Sequence, residues 1–253
     1  MIKLSGVIIT FNEERNIEDC IRSLVDVVDE IVVVDSFSTD NTKSICQSYG
    51  VKFVEQKFLG YVEQKNFALD QASHDHIVSL DGDESLSPEL QKSIQDLKTN
   101  WLNDGYTCNR FNNFCGQWIK YSDWYPNKKL RVFDRRKAVW KGMNPHDHVE
   151  LHNTSARIGH LKGDILHKTY QTYSEFNDKT EYFSTIAAKA YFDQGKSAPV
   201  WKILFNPFWA FFKAYFLRLG FLDGFNGFMI CYQTGNITFL KYAKLRELYR
   251  SQV

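Results

Sequence analysis

Apolar residues in the first third of this chain come in short runs that stop at polar clusters. Leu4 to Thr10 (LSGVIIT) is a β-prone run that ends at Thr10, Asn12, Glu13 and Glu14, and an amphipathic stretch follows with Ile17, Cys20, Ile21 and Leu24. Glu30 to Val34 (EIVVV) repeats the pattern. It stops at Asp35, and in the SFSTDNT that follows Asp40 or Thr39 can cap a helix running to about Tyr49. Val51 to Val54 reads as a third strand. Tyr61 to Ala72 reads as a helix with Val62, Phe67, Leu69 and Ala72 beside a polar, cation-bearing side of Gln64, Lys65 and Asn66. A fourth apolar run, Ile77, Val78 and Leu80, halts at Asp81, Gly82, Asp83 and Glu84. Strands alternating with helices at these intervals predict an α/β fold, a mostly parallel sheet with helices on both faces. Ligands bind such sheets beyond the carboxyl ends of the strands. The clusters at Thr10–Glu13, Asp35 and Asp81–Glu84 are therefore expected on one edge.

The rest of the chain changes character. From Gly105 to Trp140 it breaks into aromatic, β-prone pieces such as YTCNRFNNF and KLRVFDRR, which predict an antiparallel or mixed extension of the sheet and a wall for an acceptor. Five of seven histidines, His146, His148, His152, His160 and His167, fall between Asn144 and His167, with Asp147 and Glu150 among them. Thr172 to Gln194 reads as a long amphipathic helix. Pro199 to Tyr232 is dense in Phe, Trp and Tyr, and Pro207 is expected to break it into two helices. Neither piece reaches the roughly 20 uninterrupted apolar residues of a membrane span, so the choice lies between a buried hairpin and one lying in a membrane surface. On a helical wheel Lys213 and Arg218 fall on different sides of 208–219, which argues against a clean interfacial helix. The expected domains are 1–170 and a helical extension, 171–253, packed on it.

Composition narrows the function. With 31 Lys plus Arg against 30 Asp plus Glu, net charge offers no reason to invoke nucleic acid, and any anion site must be local. Five cysteines without a CxxC pair fit a reducing compartment, and Met1 to Thr10 lacks the basic start and long apolar core of a signal peptide. A cytoplasmic protein is expected. Asp81 and Asp83, two apart on an extended segment, can face one point, while Gly82 lets the backbone turn closely. Two such carboxylates repel each other unless a cation lies between them, and all-oxygen ligation suits Mg²⁺ or Mn²⁺. A turn closed by acidic residues is the competing reading. His146, His148 and His152 have a spacing that could suggest zinc, which would leave the strand-end clusters unexplained.

Taken together, VIITFNEE, VVVDSFSTDNT, EQKNFAL and VSLDGDE resemble the nucleotide-sugar-binding half of family-2 inverting glycosyltransferases with the GT-A (Rossmann-like) fold. KLRVFDR, NPHDHVEL, GDILHKTY and GFLDGFNGF look more loosely like the subgroup of lipopolysaccharide-core β-glucosyltransferases. The resemblance implies transfer of a hexose, glucose in the subgroup, from a UDP-sugar to a cell-envelope glycan or glycolipid acceptor. The enzyme would be peripheral on the inner face of the plasma membrane if the aromatic segment touches lipid. Carried over by residue, it implies that Thr10, Asn12, Glu13, Asp35, Lys65, Asn66, Asp81 and Gly82 line the nucleotide-sugar pocket. Asp81 and Asp83 would bind a divalent cation, Mg²⁺ or Mn²⁺, with His167 as a further phosphate or metal contact. A cation there meets the charge of the departing diphosphate, and inversion needs a base for the acceptor hydroxyl. The subgroup's His-Glu pair matches His146-Asp147, a departure by one methylene that makes Asp147 the expected base, with Glu150 the alternative. Either acid could instead pair with Arg131 or Arg135. Competing functions are a nucleotide-sugar-binding protein without catalysis and a transferase acting on a polyprenyl phosphate. A sugar nucleotidyltransferase lacks support, since VIITFNEE stands where its Gly-rich, Arg-containing loop would be.

Overall fold

The computed structural model describes residues 1–143 and 146–251, without the side chains of Met143 and His146. The first strand–helix pairs are β1 (Leu4–Thr10), α1 (Ile17–Leu24), β2 (Glu30–Asp35), α2 (Thr42–Ser48), β3 (Lys52–Glu55), α3 (Tyr61–Gln71), β4 (His76–Asp81), β5 (Glu84–Leu86) and α4 (Pro88–Leu97). Strands then dominate: β6 (Gly105–Phe114), β7 (Gln117–Trp118), β8 (Lys128–Asp134), β9 (Ala138–Met143), β10 (His146–Leu151) and β11 (Ile158–Tyr170). Three helices close the chain, α5 (Tyr173–Asp193), α6 (Val200–Phe212) and α7 (Gly224–Arg250). The chain divides into two compact units, Met1–Arg110 with Asn127–Lys168, and Phe111–Pro126 with Thr169–Val253. Residues 111–126, inside the expected 1–170 domain, are thus grouped with the helices.

In the first unit β3, β2, β1 and β4 run parallel, and the sheet continues through antiparallel strands in the order β8, β6, β11, β5. The parallel register decides where chemistry can sit. Thr10 is level with Asp35, and Ile9 with Asp81, so three strand ends finish together. Alternation along the strands supplies two cores. Leu4, Ile8, Val33, Val78 and Leu80 pack with α1, α2 and α4 on one face. Val7, Val32, Val34 and Ile77 pack with α3 and the β9–β10 hairpin on the other. The α4 start is fixed by Ser87, whose hydroxyl accepts from Leu90 N–H, with Pro88 at the first helical position.

The helical unit has a core of Phe114, Ile119 and Ile230 with Trp124, Tyr170 and Phe176, and a second of Ala188, Ala198 and Leu245. The expected break at Pro207 does not occur, because α6 runs through it. Proline forgoes one backbone hydrogen bond but is held here by packing on α7, where Gly235 admits the Pro207 carbonyl; a Cβ there would lie 3.0 Å from that oxygen. The chain turns later, through a π-helical turn at Lys213–Leu217, a left-handed Leu219 (φ 57°) and a 3₁₀ turn at Gly220–Asp223. Gly227 lets α7 start against that turn, since a Cβ there would collide with the Gly220 carbonyl. Among the described residues no helix is long and apolar enough to cross a membrane.

Candidate active site

The end of β4 is the hub. Asp81 ends the strand, Gly82 N–H donates to the Ile9 carbonyl (3.0 Å), and the Glu84 carboxylate folds back to accept from Asp81 N–H (3.1 Å). Gly82 is required by space: a Cβ would stand 2.8 Å from Thr10 Oγ1 and 3.2 Å from Glu13 Cγ. Glu84 is fully buried and bonded to Arg131 (3.2 Å), with Arg110 at 3.5 Å. Arg131, itself buried, also reaches Asp81 Oδ2 at 3.3 Å. From α3 the buried Lys65 places Nζ 2.9 Å from Asp81 Oδ1 and 2.7 Å from Asp147 Oδ2. The Trp140 ring lies beneath both cations, 4.4 Å from Lys65 Nζ and 5.1 Å from the Arg131 guanidinium. Burial works against ionisation of Asp81, but Lys65 and Arg131 outweigh it and hold its carboxyl below the usual range. In Arg131 the same burial is outweighed by Glu84 and Asp81, which keep the guanidinium charged.

The polar, cation-bearing side of α3 turns inward. Gln64 and Lys65 are buried, at 1% and 3% exposure, because Asp81 and Asp147 offset the cost of removing an ammonium from water. Asn66 gives both amide groups to Trp140, accepting from its N–H and donating to its carbonyl at 3.0 Å each. That pins β9, and with it β10, beside β4.

Asp147 and Glu150 stand apart, as an extended segment requires. Asp147 on β10 is turned to Lys65, whereas Glu150 is exposed and paired with Lys141 (2.7 Å), which holds its carboxyl below the usual range. Neither acid pairs with Arg131 or Arg135 among the described ion pairs. Pro145 and the His146 side chain, the other half of the expected pair, lie outside the described residues.

The residues expected on the nucleotide side form a laced rim. Asn12, with φ 53°, donates its N–H to Ser38 Oγ and accepts from Thr39 N–H, both at 2.8 Å. Asp35 is buried and accepts from Ser38 N–H (2.7 Å) and its hydroxyl. Glu13 accepts from Asn16 Nδ2 (2.7 Å); burial first, then the neighbouring Asp83 charge, push its carboxyl up to about 7. The Thr10 hydroxyl is buried beside Gly82 with no hydrogen-bond partner among the described residues.

Asp83, 26% exposed, has His167 Nε2 at 3.2 Å across the β5–β11 ladder, and Asp81 is 28% exposed. Among the described residues no three His, Cys, Asp or Glu side chains form a ready-made metal cluster. Asp83 beside His167 offers donors of the kind a divalent ion takes, whereas the Asp81 oxygens are held by Lys65 and Arg131.

A cavity of about 450 Å³ opens beside Asp81, lined by Lys65, Asp81, Trp140 and Asp147 and by a basic wall from Arg110, Lys128, Lys129 and Arg131. Burial and the nearby Arg110 and Arg131 charges depress the Lys129 ammonium. Arg131 and Arg110 each keep a buried Nε–H with no acceptor among the described residues. Such a wall is suited to an anion. Sequence reading did not select Arg131, Arg110, Lys129 or Trp140. The available signal was alternation in KKLRVFD, which sets Lys129 and Arg131 on one side of β8.

Residues 5–151 match the profile of glycosyl transferase family 2. An uncharacterized glycosyltransferase of Rickettsia typhi is 32% identical, covering 98% of this chain and 88% of its own length. The lipopolysaccharide core biosynthesis glycosyltransferase LpsC of Rhizobium meliloti is 30% identical over 97% of this chain and 93% of that protein. Among solved structures, S. aureus TarS 1-349 in complex with UDP covers all of this chain and 92% of its own at 17% identity, with a TM-score of 0.49. The chain belongs to glycosyl transferase family 2 and is an enzyme of that class. Its fold is α/β, a parallel four-stranded core extended by antiparallel strands, with a C-terminal helical aromatic segment.

Proposed function

We propose that the cavity beside Asp81 carries an inverting, single-displacement transfer of a hexose, glucose by the subgroup likeness, from a UDP-sugar to a cell-envelope acceptor such as lipopolysaccharide core. The observation that carries this reading is the convergence of Asp81, Lys65 and Asp147 on one basic cavity, from three elements far apart in sequence. In the reaction the acceptor hydroxyl oxygen forms a bond to the anomeric carbon. The carbon–oxygen bond to the diphosphate breaks, UDP keeps the electron pair, and the hydroxyl proton passes to the Asp147 carboxylate. Lys65 fixes Asp147 by a 2.7 Å bond, and Trp140 lines the cavity.

The nucleotide would lie over the Thr10–Glu13 and Asp35–Ser38 rim. Arg131 and Lys129 would meet the negative charge of the leaving group or of the acceptor. Mg²⁺ or Mn²⁺, held by Asp83 with His167 beside it, would supply neutralisation of the developing diphosphate charge. The acceptor class is supported by likeness to LpsC along nearly its whole length. The reading also places the enzyme on the cytoplasmic side of the envelope.

The test is release of UDP from a panel of UDP-hexoses, with and without Mg²⁺ or Mn²⁺, in the presence of lipopolysaccharide-core oligosaccharides. Metal- and acceptor-dependent release with an inverted anomeric product is expected. Tight UDP-hexose binding without turnover on any acceptor would contradict it and leave a binding protein.

A further inference from the structure

The exposed apolar surface of the helical unit is organised rather than scattered. In α6 the outward residues are Trp201, Leu204, Phe205, Phe208 and Trp209, spaced i, i+3, i+4, i+7 and i+8, and no residue of this helix is buried. Phe205 and Phe208 keep 66% and 67% of their surface in water. On α7 Phe225, Phe228 and Tyr232 form a second outward row, stacked at 6.4 and 6.5 Å between ring centres. Ring contacts join the rows. Phe208 and Trp209 stack on Phe212, Phe212 meets Phe216, Phe216 meets Tyr215, and Tyr215 meets Phe228 at 5.9 Å. A continuous aromatic face thus runs across two helices. Isolated exposed apolar residues need no explanation, but a connected face of this kind marks a binding surface.

Its charge selects the partner. From Lys196 to Tyr232 there are four cations, Lys196, Lys202, Lys213 and Arg218, against one carboxylate, Asp223. Asp223 is buried and accepts from the N–H groups of Lys120 and Tyr121. Arg218 meets the exposed Asp123 at 3.1 Å, a pair open enough to water to exchange easily. Two copies of this face brought together would oppose their cations, whereas anionic headgroups would neutralise them. Trp and Tyr beside Lys and Arg, with Phe and Leu between them, is the composition of a helix lying in a membrane interface. The helical-wheel objection also falls away. It assumes 100° per residue from 208 to 219, but the π-helical turn at Lys213–Leu217 breaks that period between the two cations it compares.

We infer that the α6–α7 aromatic face seats this enzyme on a bilayer containing anionic phospholipid, its helices in the plane of the interface and its rings in the headgroup–acyl boundary. The inference stands on the helical unit alone and does not depend on which sugar is transferred.

Flotation of the full chain with vesicles of phosphatidylcholine, with and without phosphatidylglycerol, tests it, with UDP binding and thermal unfolding measured in parallel. The protein should float with the anionic vesicles and much less with neutral ones, and brominated acyl chains should quench tryptophan emission. The exposed triple variant Phe205→Ser/Phe208→Ser/Trp209→Ser should lose vesicle binding by about two orders of magnitude with melting and UDP binding unchanged. Lys202→Glu/Lys213→Glu should reduce binding to anionic vesicles only. A wild-type protein that stays with the unbound fraction overturns the inference. So does a dimer that the serine variant dissociates, since the face would then join two copies. Equal flotation on neutral vesicles would overturn the part played by charge. Vesicle binding without turnover would count against the transfer reading and leave this one standing.

Discussion

Replacing Lys65 with Met removes one ammonium and keeps most of its packing volume, and it leaves Asp81 and Asp147 facing each other without their common cation. Breaking a buried ion pair by deleting one partner costs ~3–5 kcal/mol. The lower end applies here, because Asp81 retains Arg131 at 3.3 Å and the two carboxylates keep 28% and 12% of their side-chain surface in water. The expected destabilisation of the sheet unit is therefore about 3 kcal/mol, which for a chain of this size lowers its unfolding temperature by roughly 6–12 °C. Differential scanning fluorimetry and urea unfolding followed by tryptophan emission would measure it. Lys65→Arg, which keeps the charge, should recover most of the loss, and Lys65→Met should also lower kcat because Asp147 loses its anchor. A melting shift under about 2 °C for Lys65→Met would refute the reasoning, since the three-residue junction would then contribute little.

Asp83→Ala should leave melting unchanged and weaken UDP-sugar binding in Mn²⁺ by at least about tenfold, by loss of a ligand oxygen at a solvent-facing strand end; unchanged calorimetric affinity would mean that the acidic cluster is only a turn. Gly82→Ala should cost about 1–3 kcal/mol, because its Cβ would meet Thr10 Oγ1 at 2.8 Å, and it should weaken donor binding as well. Glu13 binds its proton more tightly folded, near 7, than unfolded, near 4.5, so its favourable contribution holds below the lower value and is lost as pH rises through the upper one. Metal-free protein should lose on the order of 2 kcal/mol across that window through this group, and the loss should be missing in Glu13→Gln; parallel unfolding curves in both proteins would refute it.

Local patterning carried much of the α/β unit. The runs ending at Thr10, Asp35 and Asp81 are strands, and their register brings the three polar ends level as alternation of strand and helix requires. What local pattern could not carry was pairing across long separations. Lys65 is buried because Asp147 lies 82 positions onward, and nothing within 61–72 distinguishes that from a solvated helix side. The sequence offers Arg131 only as a partner for Asp147 or Glu150, but Glu84 and Asp81 claim it. Pro207 predicts a break from the local cost of a missing N–H, whereas packing on Gly235 of α7 keeps α6 continuous. The actual turn uses a left-handed Leu219, a conformation that no residue-type rule assigns to leucine.

Parallel steady-state kinetics of Asp147→Asn and Glu150→Gln test the proposed site most directly. Asparagine keeps the size of Asp147 and can still hydrogen-bond, but cannot take the acceptor proton. The account predicts a fall in kcat of roughly two to four orders of magnitude for Asp147→Asn with UDP-sugar binding preserved, and a small change for the exposed Glu150→Gln. A nearly active Asp147→Asn beside an inactive Glu150→Gln would contradict it.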